Sequence, residues 1–267
     1  ADYVNTGAWA SKAIKEAKKL GGVNVLADTS KDIPTTMPDY DALSYTPGAA
    51  YVHVTSNETI AGTQMKRFPK TEAPLVADMS SDILCRPIDI TQFGLIYAGA
   101  QKNLGPSGVT LVVMRKDLAE RAADSLPTML QYRTHAKENS LYNTPPTFGI
   151  YILMLVTRWL LEKGGAAGIE KINQAKADKL YAAIDNSGGF YRGTAVKEFR
   201  STMNVTWRLP SEDLEAQFIK EAIALKMSGL KGHRSVGGIR ASIYNACPAE
   251  SIDALIAFMK DFQARNG

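Results

Sequence analysis

The chain has 267 residues, of which 45% are hydrophobic and 22% charged, a composition that suits a water-soluble globular protein with one large domain or up to two smaller ones. Its net charge of +4, from 31 basic and 27 acidic residues spread along the chain, gives no reason to expect nucleic acid as a partner. Cys85 and Cys247 have no metal-ligand spacing and make no disulfide framework, which argues against a metal site and suits a reducing cytoplasm.

Ala1 opens directly into a strand-like segment, without the basic and then apolar run of a signal peptide. Doubly wound sheets usually begin with earlier strands, so the expectation is a chain lacking an N-terminal part. Ala10, Ala13, Ile14 and Ala17 recur at helical spacing among Lys12, Lys15, Lys18 and Lys19, which predicts an amphipathic helix. Short apolar runs follow at 23–26, 50–54, 74–77, 93–97 and 109–114, each of strand length and punctuated by Gly, Pro or Asp. Such alternation argues for an α/β fold with a mainly parallel sheet covered by helices. Residues 148–161 are apolar but too few to cross a bilayer, and they include Arg158; a core helix is expected there, and no membrane. After Gly164-Gly165 the texture changes. Met203, Val205, Trp207 and Leu209 alternate with Asn204, Thr206 and Arg208, the pattern of a half-buried strand. Leu214, Phe218, Ala222 and Leu225 line one helix face. A strand near 239–244 and a last helix with Ile252, Leu255, Ile256 and Met259 inward complete an α+β tail. The expected division is a large α/β domain over 1–163 and a small α+β domain over 164–267.

One segment carries most of the chemistry. In Gly99-Ala100-Gln101-Lys102-Asn103-Leu104-Gly105-Pro106-Ser107-Gly108 a single lysine leaves an apolar strand and enters a glycine-rich loop. Small neighbours leave room for a flat cofactor, and a lysine so placed can lose its proton and attack a carbonyl. The ordinary alternative is a solvated lysine at a strand end, which position alone favours. Asp78 ends an earlier apolar run, where a carboxylate points into the ligand crevice of an open α/β sheet or simply caps a turn. A carboxylate beside a pyridine nitrogen would hold it protonated and make the ring an electron sink.

The lysine segment resembles the cofactor-lysine motif of the phosphoserine aminotransferase family, a class V branch of the fold-type I pyridoxal-phosphate enzymes. Asn57-Glu58-Thr59-Ile60-Ala61-Gly62, Asn143-Thr144-Pro145-Pro146-Thr147 and the run 232–242 around Arg234 and Arg240 resemble three further motifs of that family, in family order. The resemblance implies pyridoxal 5'-phosphate as cofactor, carried by Lys102 as a Schiff base, with Lys102 then moving the proton at the substrate's α-carbon. It implies Asp78 at the pyridine nitrogen, Trp9 stacked on the ring, Thr59 near the phenolic oxygen or phosphate, and Gln101 at the phosphate. It further implies Asn143 and Thr144 reaching the phosphate from the partner subunit of a homodimer. Arg240 would hold the α-carboxylate, and His233 and Arg234 the distal phosphate or side-chain carboxylate, since arginine forks bind both groups.

The reaction implied is transamination between L-glutamate and 3-phosphohydroxypyruvate, giving O-phosphoserine and 2-oxoglutarate in serine biosynthesis. The phosphorylated four-carbon analogue leading to pyridoxine is a second implied substrate. The family also has sequence upstream of the position matching Ala1, with a glycine-led phosphate turn and another arginine. Two readings compete: another class V aminotransferase or lyase, and a catalytically inactive fragment. His53 and His135 are expected to be structural or solvated, and neither cysteine lies near a recognisable base.

Overall fold

The computed structural model describes residues 1–32 and 35–267. The chain begins with β1 (Asp2–Asn5), α1 (Ala8–Ala17), β2 (Asn24–Asp28), β3 (Val52–Thr55), β4 (Asn57–Glu58) and β5 (Thr63–Gln64). Next come β6 (Leu75–Asp78), β7 (Leu95–Gly99), β8 (Thr110–Met114) and two short helices, α2 (Lys116–Ala119) and α3 (Tyr132–Lys137). The remainder is α4 (Thr147–Glu162), α5 (Gly165–Asp185), β9 (Arg192–Gly193), β10 (Asn204–Arg208), α6 (Glu212–Ala224), β11 (Ile239–Ser242) and α7 (Ala249–Asn266).

The apolar runs become a six-stranded sheet in the order β2-β1-β3-β6-β7-β8. Every pairing is parallel except that of β8 with β7. Val4, Val52, Val54, Leu75, Ala77, Ile96 and Ala98 fill its core, and a strand covered on both faces reads as a continuous apolar run for that reason. A second, antiparallel sheet in the order β11-β10-β9 packs against α5, α6 and α7. Phe218 of α6 is at the centre of this second core, with Phe258 and Phe262 of α7 at ring distances of 4.7 and 5.1 Å.

Three sequence-based expectations are corrected. The apolar helix forms at α4 but is not a core helix: only Gly149 and Leu160 are buried, and Phe148 and Leu161 are each 72% exposed. Apolar composition does not say which residues of a helix are covered: within this chain α4 packs on α5 and sets Leu153 against the sheet core. Leu225 lies just past the end of α6 and is exposed, because the helix stops at Ala224. β10 is not half-buried; Asn204 and Thr206 on its polar face are as enclosed as Val205 and Trp207 on the other.

That polar face has partners rather than water. Asn57 donates to Asn204 Oδ1 at 2.9 Å and accepts from Ser201 Oγ at 2.5 Å. Gln64 Oε1 accepts from the Thr202 N–H at 3.1 Å, and Thr206 Oγ1 donates to the Ala61 carbonyl at 3.2 Å. Gly62 makes the approach possible. Its φ is +76°, and a Cβ there would lie 2.1 Å from Thr206 Oγ1. A polar seam of this kind joins the β4–β5 hairpin, which follows β3 of the large sheet, to β10 of the small one.

Candidate active site

The order β1-β3-β6-β7 sets the C-terminal ends of four parallel strands side by side, where open α/β sheets bind ligands. Asp78 ends β6, in register with Thr55 of β3 and Tyr97 of β7. Asp78 Oδ1 accepts from the Ser80 N–H at 2.9 Å, and Ser80 Oγ accepts from the Gly99 N–H at 3.1 Å. β6 and β7 are thereby tied together at the point where the lysine turn begins. Beyond it, Asn103 is buried, donating to the Ile83 carbonyl and accepting from the Asn245 N–H, each at 3.1 Å. Lys102 sits between these anchored residues.

The Lys102 ammonium lies 4.9 Å from the centroid of the Trp9 ring. Burial pushes its pKa below the ordinary lysine range; the carboxylates of Asp78 and Glu58 oppose that shift, and Arg240 adds to it. An amine desolvated in this way gives up its proton more readily and is the better nucleophile.

Trp9 opens α1, whose N-cap Gly7 offers no side chain to the free N–H groups. Glu58 supplies the cap from β4. Fully buried, it accepts from the Trp9 N–H at 3.2 Å and the Ala10 N–H at 2.9 Å. Burial pushes the Glu58 pKa up, and these two donors pull it back. A Cβ at Gly7 would stand 2.6 Å from the carboxyl carbon, so the glycine leaves room for a cap from a distant strand. Trp9 Nε1 donates to Thr59 Oγ1 at 2.9 Å, which fixes the plane of the indole.

Thr59 also reaches the second sheet, its carbonyl accepting from Arg240 Nη1 at 3.3 Å. Arg240 Nε is buried without a partner, an uncompensated donor that an entering carboxylate would satisfy. The turn before Arg240 has Gly237 and Gly238 at φ +70° and +71°. Glu215 of α6 holds it, accepting from the Gly238 N–H at 3.1 Å and from Arg208 Nε at 2.5 Å. His233 and Arg240 face one cavity of about 180 Å³ between this turn and residues 60–61. His233 is pushed below the usual histidine range by burial and by the charges of Arg240, Arg234 and Lys12.

The structure therefore brings Lys102, Asp78, Trp9, Thr59, Arg240 and His233 to one region. Gln101 is exposed beside Lys102, and Arg234 is exposed on the glycine turn. Asn143 and Thr144 are exposed before α4, and Asn143 donates only to its neighbour's carbonyl at 3.2 Å. Within this chain, neither joins the group around Lys102. Sequence reasoning missed Glu58 and Glu215, which shape the site from behind, and Lys12, whose ammonium lies 4.4 Å from the Trp9 ring centroid. Glu58 had a local signal, a carboxylate inside a recognised motif opposite a glycine-started helix. Glu215 had none.

These groups suit a flat aromatic ring bearing an aldehyde and an anion: a desolvated amine, an indole face, a carboxylate and free donors. Thr6 Oγ1 and Thr55 Oγ1, buried at the ends of β1 and β3, have no partners among the described residues. Unpaired buried hydroxyls at strand ends are donors that a polar ligand can satisfy. Pyridoxal phosphate fits this donor set.

Residues 1–255 match the family described as aminotransferase class-V. The chain is 60% identical over 263 residues to the phosphoserine aminotransferase of Geobacillus kaustophilus, across 98% of this chain and 73% of that protein. It is similar to the structure of phosphoserine aminotransferase from Bacillus circulans subsp. alkalophilus, with TM-score 0.98 and 55% identity over 100% of this chain and 74% of that one. A PLP-bound phosphoserine aminotransferase from Trichomonas vaginalis aligns with TM-score 0.92 and 42% identity, over 97% and 75% of the two chains.

Proposed function

The chain belongs to the class-V aminotransferases, and from that premise we propose that Lys102 is its cofactor lysine and Asp78 the counter-ion of the cofactor ring. It is a pyridoxal-phosphate-dependent transaminase that moves the amino group of L-glutamate to 3-phosphohydroxypyruvate, giving O-phospho-L-serine and 2-oxoglutarate for serine biosynthesis. One observation supports the site most: a half-buried amine lies against an indole face with two carboxylates close by.

When bound, pyridoxal phosphate supplies an aldehyde for the amine and a protonated ring that takes up the electron pair left at the substrate carbon. Trp9 offers that ring a flat apolar wall, held in plane by Thr59. Asp78 holds the proton at the ring nitrogen. Arg240 binds the α-carboxylate through its unpaired Nε and so presents the α-carbon to Lys102. Lys102, when its amine is not bonded to the cofactor, would take the proton from the substrate's α-carbon and hand it on as the amino group is transferred. His233 and Arg234, with Gln101 at the cofactor phosphate, supply cationic and polar contacts for the distal group.

Borohydride reduction of the native holoenzyme followed by peptide mapping tests the reading directly. The reduced adduct is expected on the peptide containing Lys102; an adduct on another lysine overturns it. Arg240→Ala is expected to raise KM about a hundredfold for glutamate and for the phosphorylated keto acid alike, the worth of a charge-assisted pair. A rise for one substrate alone would reassign the arginine to a distal group.

The enzyme is also proposed to be a homodimer in which Asn143 and Thr144 reach the partner's cofactor. The flanking Leu141, Tyr142, Phe148 and Tyr151 are all more than half exposed, which supports burial against a second copy. Native mass at twice the chain mass is expected. A cytoplasmic setting is supported by two free cysteines; no helix among the described residues is long and apolar enough to cross a membrane. Use of the phosphorylated four-carbon analogue on the way to pyridoxine belongs to the same proposal, read by comparing kcat/KM for the two keto acids.

A further inference from the structure

Beside Asp78, on the same face of the large sheet, stands a half-buried aromatic group that the reaction outlined above does not use. Tyr97 of β7 is directly across from Asp78 in the parallel register, so both side chains leave the sheet on one side. Burial, and then the charge of Asp78 beside it, push the phenol's pKa far above the ordinary tyrosine range. One strand further on, His53 of β3 places Nε2 2.9 Å from the Tyr97 hydroxyl. His53 is itself clamped. Its ring stacks on Tyr3 at 4.8 Å and 20°, and the Tyr3 hydroxyl is paired with that of Tyr51 at 2.8 Å.

The direction of this chain follows from counting protons. A phenol has one proton, and a carboxylate can only accept. If the phenol turns its proton to Asp78, His53 Nε2 must carry a hydrogen and donate it to the phenol oxygen. Burial holds the imidazole neutral, its pKa lowered to about 4, so Nδ1 then has no hydrogen. Nδ1 is buried with no partner among the described residues, which a bare lone pair tolerates better than an N–H does. All three side chains are consistent with one arrangement.

We propose that His53 and Tyr97 form a neutral one-way relay, Nε2–H to phenol to carboxylate, that positions Asp78 with a lone pair aimed at the cofactor's ring nitrogen. Tyr97 and His53 are positioning residues, since they act through Asp78. The inference rests on Asp78 being the ring counter-ion, and two measurements keep the two claims separable.

The first uses the unaltered holoenzyme with histidine labelled with ¹⁵N. At neutral pH His53 is expected as the Nε2–H tautomer; an Nδ1–H tautomer or a charged ring overturns the relay. The second follows the ¹⁵N shift of ring-labelled pyridoxal phosphate in wild type, Tyr97→Phe, His53→Leu and the double variant. A protonated ring nitrogen is expected in wild type, moving toward the neutral value in Tyr97→Phe and less far in His53→Leu. The double variant should match Tyr97→Phe, because links in series do not add. Additive shifts, or no shift in any variant, overturn the relay while leaving Asp78 in place. An unprotonated ring nitrogen in wild type overturns the Asp78 assignment itself.

Discussion

Lys102→Ala is expected to lower transamination by at least about 10⁴-fold, the upper range for a single acid–base group, since in the proposed mechanism this lysine both binds the cofactor and moves the proton. The fold should survive. The Lys102 side chain makes no hydrogen bond to any described residue, and its anchored neighbours Gly99 and Asn103 use backbone and amide groups that alanine leaves in place. Removing an ammonium whose burial already disfavours its charge takes away a cost rather than a support. Turnover and thermal denaturation of the purified variant check the two halves of the statement. Lost turnover with an unchanged melting transition is expected, and preserved turnover removes Lys102 from the chemistry.

Asp78→Asn is expected to separate catalysis from cofactor retention. The amide keeps the size of the carboxylate and can still accept from the Ser80 N–H, so the link between β6 and β7 persists. What disappears is the negative charge that, in the proposed mechanism, keeps a proton on the ring nitrogen. Turnover should fall by about 10²- to 10³-fold, as when a preorganised charge-stabilising contact is removed. Cofactor Kd should rise by only about tenfold, the worth of one modest hydrogen bond. Equal losses in the two quantities would mean that Asp78 holds the cofactor without tuning it.

How much of this could be read from the chain depended on where each signal resides. β6 and β7 were legible because strands buried on both faces need largely apolar runs, and Asp78 and Lys102 stand at their exits. Trp9 was legible through resemblance alone; a tryptophan opening a helix is ordinarily core. Partnership between distant segments was not legible. The alternation at 203–209 gives the period of a strand without saying whether its polar side meets water or other polar groups, and here Asn204 and Thr206 meet Asn57 and Ala61. The apolar run of α4 likewise does not say which of its residues are covered within the chain, and Phe148 and Leu161 are exposed. Glu58 escaped for the same reason, because the helix it caps lies almost fifty residues earlier.

The polar seam between the sheets has a consequence for the distance over which a substrate is gripped. Lys102 follows β7 of the large sheet and Arg240 lies in β11 of the small one, so a substrate held as proposed spans the joint. Oily joints slide, since dispersion has no preferred direction, whereas the amide and hydroxyl contacts from Asn57, Gln64 and Ala61 accept only a narrow set of angles. The joint thereby acts as a calliper set to one opening. A change at Asn204 or Thr206, touching neither reacting atom nor substrate, would reset that opening and be felt at the α-carbon as a misplaced bond.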